Sequence, residues 1–294
     1  MTTPPRLTDR AALALRRARA ARDPADFLHR AAAAEVSDRL AEVNRRFTRP
    51  AIVGPMAALW RELLVADGVI GGAALAEDAE VLDLVPEAHD LLIHALALHW
   101  ADDPVGQLVQ MRHALAPDGL MIAAQFGSRS LQELRASLSE AELALRGGLS
   151  PRIAPMGEIR DLGGLLQRAG FALPVADALV LPVTYPDALA LMRDLRAMGE
   201  SNALAARDRR PPPRALFARA AALYARNFPA PDDPGRILAT AEIVLLTGWK
   251  PAPGQPQPLR PGSARARLAD ALGTAEIPAG ETVAGTGDRD NDGN

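Results

Sequence analysis

The sequence predicts an α/β protein with a doubly wound sheet, preceded by helices and followed by an α+β elaboration. Between residues 51 and 126, short apolar segments alternate with helical ones. The apolar segments are almost continuously hydrophobic, which is typical of parallel strands covered on both faces. Upstream of this region the leucine and valine spacing is helical, and downstream of it further helices and strands are mixed.

Four regions are expected along the 294 residues. They are a helical N-terminal extension at 1–48, an α/β core at 49–128, a part at 129–271 that completes the sheet with helical insertions, and a disordered tail at 272–294. The tail is inferred from its glycine, threonine, aspartate and asparagine content, because such a composition buries too little apolar surface to order a chain.

The N-terminal extension is predicted as two helices separated by Pro24. Six arginines lie within residues 6–22. They indicate either a basic surface for an acidic partner or for lipid headgroups, or a solvated helix face whose aliphatic stems lie along the protein.

The helices and strands of the core are predicted from the spacing of apolar residues and from the prolines and glycines between them. The predicted strands are 51–54, 68–75 (a short strand or a turn), 89–98 and 119–127, and the helices between them are 57–67 and 104–115. Pro117 ends the second helix, and Asp118 and Gly119 form the tight turn into the last of these strands.

The C-terminal part continues with helices and two further strands. The predicted helices are 131–146, 159–169 (ending at Gly170), 186–198 and one that begins at the prolines of 211–213. The predicted strands lie near 178–184 and 236–250.

Composition excludes several classes of protein and site. The chain contains no cysteine, which excludes disulfides, thiolate metal sites, iron–sulfur clusters and cysteine nucleophiles. A net charge of −3 does not indicate a nucleic-acid binder. Residues 1–30 lack the apolar segment of a signal peptide, and no apolar run is long enough for a bilayer. We expect a cytoplasmic protein, not transmembrane, for which peripheral contact with the inner face of the membrane stays open.

The stretch HDLLIHALALHWADDPVGQLVQMRHALAPDGLMIAAQFG (89–127) resembles class I S-adenosylmethionine-dependent methyltransferases, in the region that follows their cofactor motif. The segments GGLSPRIAP, RDLGGLLQRAGFALPVAD, LMRDLRAMGESNAL and LLTGWKP are similar to one subfamily in particular. This subfamily is the methyltransferase-like assembly factor of NADH:ubiquinone oxidoreductase, whose mitochondrial member is a protein-arginine hydroxylase. The similarity runs from about residue 6 to 271, and the malonyl-carrier-protein methyltransferases are more distant relatives.

The resemblance implies a class I methyltransferase-like (Rossmann-like) fold, S-adenosyl-L-methionine as cofactor, and a protein substrate or partner such as a peripheral subunit of the oxidoreductase. Two functions follow from it. The chain is either a catalytically degraded relative that assists assembly of respiratory complex I, or an active methyltransferase or hydroxylase on a protein or a small acid.

The glycine-rich cofactor loop of the family is missing. Its acidic–x–Gly–x–Gly–x–Gly pattern is replaced by AIVGPMAAL, in which Gly54 is the only glycine and Pro55 lacks an N–H. The resemblance places Asp78 where an acid contacts the adenine amine, and the alternative is that Asp78 is a surface turn residue. We expect binding of the cofactor to be weak or lost. The cofactor-binding candidates are Gly54, Asp78, Ala97 and His99.

Two groups of polar residues are candidates for a substrate cleft above the sheet. His99 and Trp100 are expected to cap the strand at 89–98 at its carboxyl end, where open α/β sheets bind ligands, or to pack against the N-terminal helices. Arg152 either lines the cleft or forms an ion pair that docks a helix. The substrate-cleft candidates are Trp100, Ser150, Arg152, Glu200 and Asn202.

No metal site and no catalytic residue are predicted. An iron site with two histidines and one carboxylate would have to use residues such as His94, His99 and Asp102. Within a strand over 91–99, the two histidines would point to opposite faces because their separation is odd.

Overall fold

The computed structural model describes residues 6–255, together with 270, 273 and 274. The described residues up to Pro253 belong to one compact unit. The tail expected at 272–294 therefore lies almost entirely outside the described residues. The predicted domain boundaries at 48, 128 and 271 stay predictions.

Residues 6–255 form eight α-helices, six β-strands and one short 3-10 turn at Leu98–Trp100. The helices are α1 (Arg10–Ala20), α2 (Phe27–Glu42), α3 (Ala57–Ala66), α4 (Pro104–Ala114), α5 (Gln132–Arg146), α6 (Ile159–Arg168), α7 (Ala188–Ala197) and α8 (Arg214–Asn227). The strands are β1 (Pro50–Val53), β2 (Ala74–Ala76), β3 (His89–Ala95), β4 (Leu115–Phe126), β5 (Ala172–Tyr185) and β6 (Ile237–Trp249).

The strands form a single sheet in the order β2-β1-β3-β4-β6-β5. The first four are mutually parallel, whereas β6 runs antiparallel to both β4 and β5. The order reverses between β1 and β3, and at such a switch point the carboxyl ends of an α/β sheet open a crevice. The predicted architecture is confirmed: an α/β fold with a sheet covered on both faces, N-terminal helices and a C-terminal α+β elaboration.

Helices cover the sheet on both faces, as the continuous apolar strands predict. Ile52 and Ile93 point to the face covered by α2 and α3, whereas Val53 and Leu92 point to the face covered by α4 and α6. Successive residues of a strand face opposite sides, so both sets must be apolar. Helices α5, α7 and α8 form a further apolar core with the end of β5 and the beginning of β6.

The turn predicted at Asp118 and Gly119 lies inside β4, where it interrupts the strand register. His89 pairs with Leu115, but Leu91 pairs with Leu120, so the intervening residues loop out of the ladder. Asp118 adopts a φ of 60°, in the left-handed region that aspartate tolerates better than most residues.

Strand β3 is shorter than predicted and ends at Ala95. Leu96 has a φ of 50°, which turns the chain out of the extended conformation. His99 therefore lies on the short turn after the strand, and the argument from odd spacing between His94 and His99 does not apply.

Helix α1 is fixed onto the carboxyl end of β3. The carboxylate of Asp102 accepts hydrogen bonds from the backbone N–H groups of Leu7 (2.9 Å) and Thr8 (2.8 Å). Leu13 is 1% exposed and packs in a cluster with Trp100. The N-terminal extension is therefore part of the surface above the sheet. No helix in the described part of the chain has both the length and the apolar character required to cross a membrane.

Candidate functional site

Gly54 closes the switch point between β1 and β3. Its φ is 149°, and a Cβ at this position would lie 2.7 Å from the carbonyl oxygen of Ala95. Only glycine fits such an approach. The Gly54 N–H donates to the carbonyl of Ala76 at 3.0 Å. The backbone N–H that follows β1 is thus already hydrogen-bonded to the last residue of β2.

Asp78 is buried, with 7% exposure, so its interpretation as a surface turn residue is wrong. The guanidinium of Arg17 donates to one carboxylate oxygen at 2.6 Å, and that of Arg10 lies 3.4 Å from the other. Arg10 also donates to the Asp78 carbonyl at 2.9 Å. Helix α1 lies over the acid and satisfies it within the protein.

The arginines of residues 6–22 consequently do not form one solvated face. Arg10 and Arg17, seven residues apart and so on one side of α1, turn inward to Asp78. Arg16 and Arg19 line a cavity on another side of the helix. Arg6 and Arg22 are exposed.

His99 and Trp100 meet Glu200 behind the carboxyl end of β3. The Nε2 of His99 lies 3.0 Å from a carboxylate oxygen of Glu200, and the indole N–H of Trp100 donates to the same oxygen at 2.8 Å. The imidazole also contacts the ring of Phe126 edge-on, with the ring centroids 5.1 Å apart. Both sequence-based interpretations of His99–Trp100 describe part of the observed position, since Trp100 also packs against α1.

Glu200 is held as a carboxylate. Burial acts to raise the pKa of Glu200, but the charge and hydrogen bond of His99, the charge of Arg17 and the hydrogen bond of Trp100 outweigh it and hold the pKa below its ordinary value. An ionised carboxylate in such a position can accept protons or bind a cation.

A large cavity opens beside this carboxylate, with a volume of about 880 Å³. It lies above β4 and β6 and is bounded by α1, α5, α7 and the segments 152–156 and 207–212. Trp100, Arg152, Glu200 and Asn202 all line it, whereas Ser150 does not. None of the cofactor candidates Gly54, Asp78, Ala97 and His99 is part of its lining. The structure thus brings four of the five substrate-cleft candidates to one cavity and sets the cofactor candidates apart from it.

Arg152 serves both of the roles considered for it. It lines the cavity, and its guanidinium binds Glu142 of α5 at 2.6 and 3.0 Å. Ser150 binds the same carboxylate through its N–H (3.1 Å) and its hydroxyl (2.9 Å). The Arg152 hydrogen bond, helped by Ser150 and opposed by burial, lowers the pKa of Glu142 to about 2. This cluster joins the loop after α5 to the helix.

His94, His99 and Asp102 are not gathered around a common point. His94 is fully buried and hydrogen-bonds Gln107 at 3.0 Å, His99 binds Glu200, and Asp102 binds the N-terminal backbone. Among the described residues, no three His, Asp or Glu side chains are grouped so that they could hold a metal ion.

Apart from Arg152, the arginines of the cavity lining were not predicted as site residues. The lining contains eight of them against three carboxylates. Arg16 with Arg19, and Arg193 with Arg196, are spaced to share a helix face, which is a signal in the sequence. The sequence does not show that α1 and α7, 170 residues apart, line one cavity.

No protein-family profile matches the chain. The comparison with characterised proteins does find relatives. The arginine-hydroxylase NDUFAF5 of zebrafish (Danio rerio) mitochondria is 39% identical over 199 residues, which are 66% of this chain and 59% of that protein. The human protein of the same name is 40% identical over 193 residues, 64% of this chain and 53% of its own.

The malonyl-[acyl-carrier protein] O-methyltransferase of Laribacter hongkongensis is 34% identical over 180 residues, 61% of this chain and 57% of that enzyme. Among solved structures, the YcgJ protein from Bacillus subtilis aligns with 73% of this chain and 97% of its own, at 11% identity and a TM-score of 0.45. This chain covers less than two thirds of the length of each curated relative named here. The resemblance is confirmed: the chain is a homologue of the arginine-hydroxylase NDUFAF5 proteins and, at lower identity, of malonyl-[acyl-carrier protein] O-methyltransferases.

Proposed function

We propose that this chain is an assembly factor for respiratory NADH:ubiquinone oxidoreductase, acting on a protein subunit, and that it binds S-adenosyl-L-methionine weakly or not at all. The similarity to the arginine-hydroxylase NDUFAF5 proteins supports the first part. We place its action in the cytoplasm, on a peripheral subunit at the inner face of the membrane.

The pairing of Asp78 with Arg10 and Arg17 carries the second part. The resemblance gives this carboxylate the task of binding the adenine amine, yet both of its oxygens face guanidinium groups. The Gly54 N–H, at the position of the family's glycine-rich loop, is bonded to Ala76. The engagement of both groups within the protein supports the proposal that the cofactor is bound weakly or not at all. For the adenine to reach the acid, an internal ion pair would have to be broken.

An active methyltransferase or hydroxylase on a protein or a small acid is the second candidate. It is favoured by the identity of 34% to a malonyl-[acyl-carrier protein] O-methyltransferase and by the excess of arginine in the cavity, which suits an acidic substrate. This candidate requires binding of S-adenosylmethionine, which separates it from the assembly factor.

Deletion of the gene in its source organism tests the assembly role. We expect the deletion strain to accumulate unassembled oxidoreductase subunits and to lose NADH oxidation in its membranes. Native electrophoresis and membrane assays measure both. Succinate oxidation in the same membranes is the control, and re-expression of the full chain restores assembly. Normal levels of assembled oxidoreductase in the deletion strain contradict the proposal.

A further inference from the structure

The cavity has an apolar floor that the proposed function does not explain. Leu134 and Leu138 of α5, Phe126 of β4 and Met198 after α7 are nearly buried and form part of it, and Met156 and Met192 are partly exposed there. Methionine side chains adapt to the shape of an apolar ligand. A volume of about 880 Å³ is within the range of small-molecule sites.

Four arginines of the lining have no carboxylate within 4.0 Å among the described residues. They are Arg16 and Arg19 of α1, and Arg193 and Arg196 of α7, two helices that contact each other. The other arginines of the lining, Arg152, Arg207, Arg209 and Arg210, are paired with Glu142, Asp9 or Asp208. The unpaired charge is thus concentrated on α1 and α7.

Helix ends do not account for this charge. Basic residues near a carboxyl terminus compensate the helix dipole, which amounts to about half a negative charge for each helix. The two helix ends and the carboxylates of Asp23 and Glu200 together supply about three negative charges. The four unpaired guanidinium groups carry more positive charge than this.

The guanidinium of Arg16 has a donor that no group of the protein satisfies among the described residues. Its Nη1 is buried and has no hydrogen-bond partner among the described residues. Burial, together with the charge of Arg207, lowers the pKa of Arg16. A buried donor without a partner is costly, and an anion in the cavity would satisfy it.

We propose that this cavity binds an anionic amphiphile, whose carboxylate or phosphate is held by the arginines of α1 and α7 and whose apolar chain lies on the floor between α5 and β4. The floor alone would accept a neutral apolar molecule, and the arginines alone would accept a free anion. The combination selects a ligand that carries both. The proposal concerns the cavity alone and stands independently of the assembly role.

Isothermal titration of the purified full chain with four probes tests the proposal. Dodecanoate and dodecyl phosphate carry head and chain, dodecanol lacks the charge, and inorganic phosphate lacks the chain; all are used below the concentration at which they aggregate. We expect both anionic amphiphiles to bind at least tenfold more tightly than either fragment, and more weakly as salt is raised. Preference for one of the two distinguishes a fatty-acid source from a phosphate-ester source.

Variants locate the site. The double substitution Arg193→Gln/Arg196→Gln is expected to weaken the binding of dodecyl phosphate by about tenfold or more, which is equivalent to the loss of one charged hydrogen bond. The matched control is Arg160→Gln/Arg168→Gln, two exposed arginines of α6, on the opposite face of the sheet. All four side chains are exposed, so both variants should fold, which circular dichroism checks. Met192→Gln is expected to weaken the binding of dodecyl phosphate and to leave the salt dependence of that binding unchanged.

Three results would overturn the proposal. They are equal binding of dodecanol and dodecanoate, equal losses in the α7 and α6 double variants, and tighter binding of a glutamate-rich peptide than of either amphiphile. The last outcome would identify the cavity as a docking site for an acidic polypeptide.

Discussion

Asp78 joins the N-terminal helix to the segment after β2. Its partners, Arg10 and Arg17, lie 68 and 61 residues earlier in the chain, so no local pattern could reveal them. The resemblance places Asp78 at the cofactor site, which stays a prediction, and it could not show that α1 supplies cations to this acid. Long-range ion pairs of this kind depend on how two elements dock, which residue spacing does not encode.

Replacement of Asp78 by asparagine is expected to destabilise the protein. Asp78→Asn removes the negative charge between two partly buried guanidinium groups, and loss of a hydrogen bond to a charged group costs about 1.5–3 kcal/mol. Urea unfolding followed by circular dichroism measures the free energy of unfolding. The matched control is Asp83→Asn, an exposed aspartate five residues on. Equal free energies for the two variants would show that the ion pair contributes nothing.

Among the elements, those with a strong period were predicted best. Helices α3, α4 and α5 lie within one or two residues of their predicted bounds, since apolar periodicity and proline or glycine mark their ends. Strand β5 extends over Ala172–Tyr185 rather than over the predicted 178–184. The prediction was too short because the first residues of the strand are largely exposed, and their pairing with β6 is not visible in the sequence. The early end of β3 depends on the left-handed Leu96, a conformation that leucine rarely adopts.

The elements around the switch point predict weak cofactor affinity. Asp78 is paired with Arg17 of α1 and the Gly54 N–H is bonded to Ala76, so a ligand would have to break these contacts to use either group, and each 1.4 kcal/mol lost weakens binding tenfold. We expect a dissociation constant for S-adenosylmethionine on the order of 0.1 mM or weaker. Isothermal titration of the full chain measures it, with a titration into buffer as control. A micromolar constant would favour the active-enzyme candidate over the assembly factor.

At the scale of the whole molecule, two buried histidines make stability depend on pH. His29 accepts a hydrogen bond from the indole N–H of Trp60, and His94 bonds to Gln107. Burial is the main cause that lowers the pKa of each to about 4, from 6.5. In the unfolded chain both take up protons below pH 6.5, whereas in the folded protein they stay neutral until about pH 4.

The stabilising effect of the neutral histidines is therefore complete above pH 6.5 and is lost as the pH falls towards 4. Each histidine should contribute a decrease of about 1.4 kcal/mol per pH unit within this window. Glu142, with its pKa lowered to about 2, adds a separate loss only below its ordinary value of 4.5. Urea unfolding between pH 7 and 5 measures the slope. His29→Gln should reduce it, the exposed His113→Gln should not, and identical slopes in both variants contradict the assignment.

The overall sheet followed from the sequence, whereas its cavity did not. Strand–helix alternation over 51–126 predicts parallel strands covered on both faces, and the resemblance supplies their arrangement. The cavity is built from α1, α5, α7 and the segment 207–212, which no short-range pattern connects. Its candidates Trp100, Arg152, Glu200 and Asn202 were proposed from the resemblance and from polar loops. Of the other arginines in its lining, Arg16 and Arg19 were noted only within the arginine-rich segment 6–22, as a basic surface or a solvated helix face, and the rest were not singled out.

The position of β6 in the sheet has a consequence for synthesis on the ribosome. This strand is the last along the chain among those described, yet it lies between β4 and β5 and provides the sheet partner of β5. Until Trp249 has left the exit tunnel, one edge of β4 and the whole of β5 lack their neighbour. Open strand edges are templates for association with other chains. The nascent chain therefore exposes these edges from the synthesis of β4 until that of β6, and we expect a chain that ends before Ile237 to aggregate rather than to form a smaller working domain.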